Sequence, residues 1–442
     1  MDPLTIGVMT TVLLLILILL GIHIAVALAL MSILGIWLSI GDFNVSINVL
    51  STTTFHSISE YIFSVIPLFV LMGLLSNMSG ASRDLYNSFH VLLKAVRGGI
   101  GMATVIANAI FATITGVSVA SAAVFSKISL PSMLDLKYDK KLALGTVAGS
   151  SVLGMLIPPS LLLIVYGMLA EISVGKLFIA GIIPGIILVL VYCIGIYTMA
   201  TLKPHLVGGR DVKLDTTFNK EDLLKALIKT FPIITLVIVI LGGIYVGFLT
   251  PTEAGAIGAF GALLLVIFRK KLNFKEFWMN LIETGYTTGS VLLLLISASM
   301  YSRMLSMTGI ISYVNQFVNQ LNVSTHMLII VLFIILFVMG MVIDSTSILL
   351  ISMPLMLPVV SAIGYDLITF GIIAVIVIEI GLLTPPFGLV AYSMKSALGD
   401  NADIGEIFTG SIPFIIMMMI CVTILLIFPD LITWLPSVMQ GE

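Results

Sequence analysis

Charge is what this chain has least of. Asp, Glu, Lys and Arg together make up 10% of its 442 residues, too few to cover the surface of a soluble protein of this size. Cysteine is scarcer still. Cys193 and Cys421 both sit in apolar runs, so they read as packed thiols and not as a disulfide or a metal pair. The five histidines (His23, His56, His90, His205 and His326) are scattered without metal-ligand spacing. No Gly-x-x-x-x-Gly-Lys-Ser/Thr element occurs, which excludes ATP binding by that route. No Ser or Cys nucleophile has a recognisable base nearby, so the chain does not read as an enzyme. The formal net charge of −2 singles out no partner, and nucleic acid is not expected. The start, Met1-Asp-Pro-Leu-Thr5, lacks a basic n-region and a cleavage site, so it reads as a retained first helix.

What the chain has is hydrophobicity, 59% of residues with a mean hydropathy of +1.21. The apolar runs reach the roughly 20 residues that a helix needs to cross a bilayer. They are continuous and not alternating, which argues for helices over barrel strands. The fold class is therefore an all-α polytopic membrane protein. Candidate spans are 4–22, 24–41, 63–79, 142–168, 177–200, 230–249, 252–268, 287–307, 367–394 and 411–434. The 24 methionines read as core filler.

Two stretches repeat at a fixed offset of 227 residues. Tyr138-Asp139 through Gly154-Met-Leu-Ile-Pro-Pro-Ser160 matches Tyr365-Asp366 through Gly381-Leu-Leu-Thr-Pro-Pro-Phe387. Leu130-Pro131 matches Leu357-Pro358 at the same offset. Duplicated halves with prolines inside both copies of an apolar segment point to a secondary transporter whose broken helices meet at a midplane site. The domains read as a first repeat over 1–205, a linker over 206–228 and a second repeat over 229–442. The broken helices fall at 142–168 and 367–394.

Two further apolar regions, 99–134 and 327–360, carry small polar centres, Thr113 to Ser121 and Gly340 to Ser347. Each reads as two half-length helices meeting at a tip, a re-entrant hairpin. Arg83, Lys94, Arg97, Lys127, Lys137, Lys140 and Lys141 surround the first, so its ends are expected in the cytoplasm. No Lys or Arg occurs from Met304 to Met394, so the second enters from outside. Threading the spans this way puts 18 of the 20 Lys and Arg inside, leaves only Lys176 and Arg303 outside, and inverts the two halves. The N-terminus is then periplasmic. The mixed-charge stretch from Lys203 to Asp222, with Gly208-Gly209, is the cytoplasmic connector. Segments 51–62 and 272–285 hold matching places in the halves, as bracing arms or ordinary loop helices, and the second has the amphipathic spacing of an interfacial helix.

The tips carry the candidate site. Helix ends expose carbonyls suited to Na⁺ and N–H groups suited to carboxylates. Thr115, Ser118, Ser345 and Thr346 add hydroxyls. A single Ser-rich stretch is more often a packing device; two, placed symmetrically beside Pro-Pro pairs, favour a site. A proline pair unwinds the segment and frees carbonyls, so Gly154, Ile157, Leu383 and Thr384 become candidate Na⁺ ligands. Ser160 follows the first break within reach of substrate. Asp344 is an acid at a tip in an apolar region and calls for a cation, a donor or water. Glu379 reads as a local capping or pairing acid, Glu253 as a helix-start residue, and Lys176 and Arg303 as snorkelling cations.

Gly116-Val-Ser-Val-Ala-Ser, Leu130-Pro-Ser-Met, Gly154-Met-Leu-Ile-Pro-Pro-Ser with Tyr166-Gly, Gly175-Lys-Leu-Phe-Ile-Ala-Gly-Ile-Ile-Pro-Gly185, Thr250-Pro-Thr-Glu-Ala and Gly381-Leu-Leu-Thr-Pro-Pro-Phe-Gly388 together resemble the large membrane subunit of tripartite ATP-independent periplasmic (TRAP) transporters. The resemblance covers essentially the whole chain. It implies an elevator-type symporter of the bacterial inner membrane, driven by Na⁺ and importing organic acids of the sialic acid or C4-dicarboxylate class. A small four-helix membrane subunit and a periplasmic substrate-binding protein are the implied partners. One Na⁺ site is implied at Gly116, Ser118, Gly154, Ile157 and Pro158, the other at Asp344, Ser345, Gly381, Thr384 and Pro385. Substrate is implied between them, near Thr115, Ser118, Ser160, Asp344 and Thr346. The family's usual Gly-Ser-Ser at the first tip reads Gly116-Val-Ser here, so a hydroxyl is missing at Val117. A stand-alone Na⁺/carboxylate symporter, an intramembrane enzyme pairing Asp344 with Glu379, and a channel remain as alternatives.

Overall fold

The structure, a computed structural model, describes residues 2–209, 220–320 and 323–440. The first half contains α1 (Pro3–Leu19), α2 (Ile24–Ile40), α3 (Phe43–Ser59), α4 (Val65–Ser79), α5 (Ala81–Leu93) and α6 (Gly99–Thr115). It continues with α7 (Ser118–Asp135), α8 (Lys140–Ser151), α9 (Leu153–Leu156), α10 (Leu161–Leu169) and α11 (Val174–Leu202). The second half contains α12 (Lys220–Tyr245), α13 (Pro251–Phe268), α14 (Phe274–Met307), α15 (Ile310–Gln320) and α16 (Thr325–Gly340). It ends with α17 (Ser345–Ala362), α18 (Leu367–Leu383), α19 (Leu389–Leu398), α20 (Ile404–Ile427) and α21 (Asp430–Gln440). Among the described residues there is no strand, only an isolated bridge between Tyr138 and Val207. Eight described helices are long and apolar enough to cross a membrane.

The offset seen in the motifs extends through the whole architecture. Shifted by 227 residues, α2 falls on α13, α6 on α16, α7 on α17, α8 on α18, α10 on α19 and α11 on α20, with starts agreeing to within three residues. The same capping chemistry begins the paired helices. Asp139 accepts from Leu142 N at 3.0 Å and Asp366 accepts from Thr369 N at 2.7 Å, each satisfying an orphan amide of a first turn. The halves then exchange partners. Helix α2 packs on α14, and α2's counterpart α13 packs on α4. Helix α7 packs on α19, and their counterparts α17 and α10 pack on each other. Neither half therefore buries its apolar faces alone.

Both hairpins form, α6–α7 and α16–α17, and both broken helices break, at 157–160 and 384–388. One length differs from expectation. The arms hold 16 to 18 residues, which at 1.5 Å per residue is about 25 Å and well over half a bilayer. A stretch of 35 residues looks like two half-helices on paper because the count ignores how far 17 residues reach. The expected interfacial segment 272–285 is also not a separate element. It is the start of the 34-residue α14, which covers in one helix what α3 and α4 cover in two. Helix α12 begins at Lys220, inside the expected linker 206–228, while 210–219 of that linker lie outside the described residues.

Candidate functional site

Each hairpin tip is bonded to the break of its own half. Gly116 ends α6 with φ 61°, the left-handed conformation that a side chain resists, and its carbonyl accepts from Leu161 N at 3.3 Å across the first break. A Cβ on Gly116 would lie 2.9 Å from the Pro159 carbonyl oxygen. At the second tip the Met341 carbonyl accepts from Phe387 N at 3.2 Å. Gly154 approaches the backbone of Val117 and Ser118 closely enough that a Cβ there would stand 3.2 Å from the Val117 carbonyl. The structure thus brings together tip and break in each half.

The proline pairs act through chemistry that both copies share. Pro158 and Pro385 stand four residues after Gly154 and Gly381 and have no N–H, so those two carbonyls lose their helical donor. Pro158-Pro159 and Pro385-Pro386 are both cis. The neighbouring groups are taken up locally. Thr384 N meets Gly381 O at 2.9 Å, and the Thr384 hydroxyl donates to Ile380 O at 2.7 Å. The Ser160 hydroxyl donates to Met155 O and accepts from Leu163 N, capping α10. Thr115 donates to Phe111 O at 3.2 Å. Ile157 and Thr346 are half-buried.

Asp344 is the N-cap of α17, accepting from Ser347 N at 3.0 Å, and lies exposed at the tip. Its counterpart Val117 offers α7 no side-chain cap. The two breaks differ in the same direction. Pro158, Pro159 and Ser160 are buried, whereas Pro385, Pro386 and Phe387 are exposed.

Between the tips stands Glu379. It is 0% exposed and, among the described residues, the only charged side chain that is buried. Ser345 Oγ donates to Glu379 Oε1 at 3.0 Å. Ser118, which matches Ser345 in the repeat, faces the same carboxylate from the first hairpin. It does so without closing a hydrogen bond of normal geometry, and Ser118 Oγ and Glu379 Oε2 are both buried and unpartnered. Within its apolar run Glu379 reads as a local capping or pairing acid, and no pattern in the sequence marks what faces it.

The whole of this arrangement lies within the region, residues 11–431, that matches the family described as "Tripartite ATP-independent periplasmic transporter, DctM component". The chain belongs to this family. It is 32% identical over 394 residues to the C4-dicarboxylate TRAP transporter large permease protein DctM of Pseudomonas aeruginosa, covering 89% of this chain and 88% of that one. It is 30% identical to the 2,3-diketo-L-gulonate TRAP transporter large permease protein YiaN of Escherichia coli, with 90% of each chain covered. The Vibrio cholerae sialic acid TRAP transporter large permease protein SiaM is 28% identical, over 90% of this chain and 91% of that one. In fold the chain is similar to the crystal structure of the Alcanivorax borkumensis YdaH transporter, at TM-score 0.61 and 13% identity, covering 96% and 98% of the two chains.

Two further features of this TRAP permease escaped the sequence reading. Asn108 donates to Ser150 Oγ at 2.9 Å and accepts from Ser121 Oγ, a buried chain that ties both arms of the first hairpin to α8. A cavity of about 740 Å³ opens between α3 and α14 on one side and the α10–α11 turn with α17 on the other. Thr53, His56, Ser299, Ser302 and Arg303 contribute to its polar lining. Arg303 therefore faces a polar cavity, a different setting from the snorkelling expected of it.

Proposed function

We propose that this chain is the large permease of a Na⁺-coupled importer of organic acids in the bacterial inner membrane. The convergence of both hairpin tips on the broken helices, with one tip serine from each half beside Glu379, carries this reading. The Gly154 carbonyl, freed by the first proline pair, with Gly116, Ser118, Ile157 and Pro158 on one side, and the Gly381 carbonyl, which keeps a lone pair beyond its bond to Thr384 N, with Asp344, Ser345, Thr384 and Pro385 on the other, are the oxygen donors for Na⁺. Oxygen-rich sets of this kind suit hard monovalent cations, and Na⁺ here is cargo. The substrate carboxylate lies between the tips, with Thr115, Ser118, Ser160, Asp344 and Thr346 as the candidate contacts. Na⁺ orders the tips, so that the acid binds well only when Na⁺ is present, and that differential affinity is the coupling.

The hairpins and broken helices form the moving core of an elevator, and α2, α3, α4, α13 and α14 form its frame. The cavity between α3, α14 and the core supports a boundary that is not tightly packed. The relatives carry C4-dicarboxylates, sialic acid and 2,3-diketo-L-gulonate by name, which supports a carboxylate-bearing substrate. A small membrane subunit and a periplasmic binding protein are the proposed partners, and the charge distribution supports a periplasmic N-terminus.

The test is uptake into proteoliposomes holding this chain and its small subunit. Labelled succinate and sialic acid are supplied under an inward Na⁺ gradient, with and without the binding protein. Uptake requiring both Na⁺ and the binding protein is the expected result. Na⁺-driven uptake without the binding protein would instead make the chain part of a stand-alone symporter.

A further inference from the structure

Glu379 is an unusual group to find where it is. A buried carboxylate is costly unless hydrogen-bonded or paired, and among the described residues no Lys, Arg or His is buried with it. What meets it is the beginning of two helices. Ser118 is the first residue of α7 and Ser345 the first of α17, each helix 18 residues long. The positive ends of both dipoles thus approach the one carboxylate. Ser345 Oγ is bonded to Oε1 at 3.0 Å, while Oε2 and Ser118 Oγ are both buried without a partner. The serines are duplicated but the acid is not. The position matching Glu379 in the first half is Val152. A single acid thus meets two symmetry-related hydroxyls.

We propose that Glu379 is a positioning residue shared by the two hairpins, holding both tip serines so that the tips engage and release together. It rests on the reading of the tips as the transport site. When both serines sit on the carboxylate, each helix start is fixed against α18 and the core moves as one body. If one tip withdraws, Glu379 loses a donor and half of its positive surroundings, which loosens the hold on the other tip. The linkage is thermodynamic, because removing either contact changes the free energy of the other.

A double-mutant cycle tests this. Ser118→Ala, Ser345→Ala and the double variant are reconstituted on the native background and on a Glu379→Gln background. Acid KM, half-saturating Na⁺ and maximal rate are read at equal transporter density. On the native background each single variant is expected to raise KM by roughly tenfold, and the double variant by no more than the larger single, a coupling of about tenfold. On the Glu379→Gln background the coupling between the two serine changes falls below about twofold, while each keeps the effect of its own contact with Na⁺ or substrate. Single effects that multiply independently would overturn the shared latch and leave the site reading standing. Two silent single variants would overturn the site reading and the latch with it. If the Glu379→Gln protein does not insert, the cycle on the native background still decides, since a purely structural acid gives no coupling between the serines.

Discussion

Tyr166 reaches from one half of the molecule into the other. Its hydroxyl, at the end of the α10 ring, donates to the Leu367 carbonyl at the start of α18 at 2.6 Å. The ring lies so close to Gly371 that a Cβ there would strike it. Tyr166→Phe keeps the ring and removes only this bond. Leu367 O retains its helical donor, so the loss is that of one net hydrogen bond, about 1 kcal/mol. The melting temperature in detergent should fall by roughly 1–3 °C, with the KM for acid unchanged. A several-fold rise in KM would mean that the cross-half bond also shapes the site.

The first tip should tolerate no side chain at position 116. Gly116→Ala imposes a left-handed alanine, about 1–2 kcal/mol, and puts a methyl group against Pro159 O at 2.9 Å. Gly21 shares the conformation, with φ 84°, but has nothing within 4 Å. At equal membrane levels Gly116→Ala should lower uptake by at least about tenfold, and Gly21→Ala by less than about twofold. Equal losses would show that backbone strain, and not the contact between tip and break, is responsible.

Asp344 caps α17 and lies exposed at the second tip, so cap and charge have to be separated. Asn at this position keeps an acceptor for Ser347 N but carries no charge. If the charge helps to hold Na⁺, Asp344→Asn should raise half-saturating Na⁺ by roughly tenfold with little change in stability, and Asp344→Ala should add about 1 kcal/mol of destabilisation from the lost cap. Unchanged Na⁺ dependence in Asp344→Asn would reduce the residue to a cap.

The charge count makes a topological prediction. With Cys193 and Cys421 replaced by alanine, Lys176→Cys should react with a membrane-impermeant maleimide in intact spheroplasts, and Lys141→Cys only after permeabilisation. The ion pair of Arg269 with Asp84 at 2.7 Å fits this arrangement, because it joins the end of α13 to the start of α5 on the side assigned to the cytoplasm. Labelling of both cysteines from the same side would refute the inverted arrangement.

The duplication was legible in the chain because turn chemistry repeats along with it. Asp139 and Asp366 are the same cap, Pro158 and Pro385 remove the same donor, and both act on neighbours a few residues away. Local rules of this kind can be read from spacing alone, and so could the hairpins, since a long apolar run with a small polar centre fits two helices better than one. The role of Glu379 could not be read in this way. It lies in the run Ile376-Val-Ile-Glu-Ile380, and the residue it faces across the fold, Ser118, belongs to the other half of the chain. Ser160 and Asp344 add local detail that spacing does not carry. In the folded chain the Ser160 hydroxyl donates to Met155 O and the Asp344 carboxylate accepts from Ser347 N. Sequence by itself determined the halves, their breaks and their tips, because those depend on backbone donors within one helical turn. Which polar side chains are left to face one another at the centre was decided only by tertiary structure, because packing α17 on α18 and bringing the start of α7 to the same carboxylate selects partners that no spacing along the chain records.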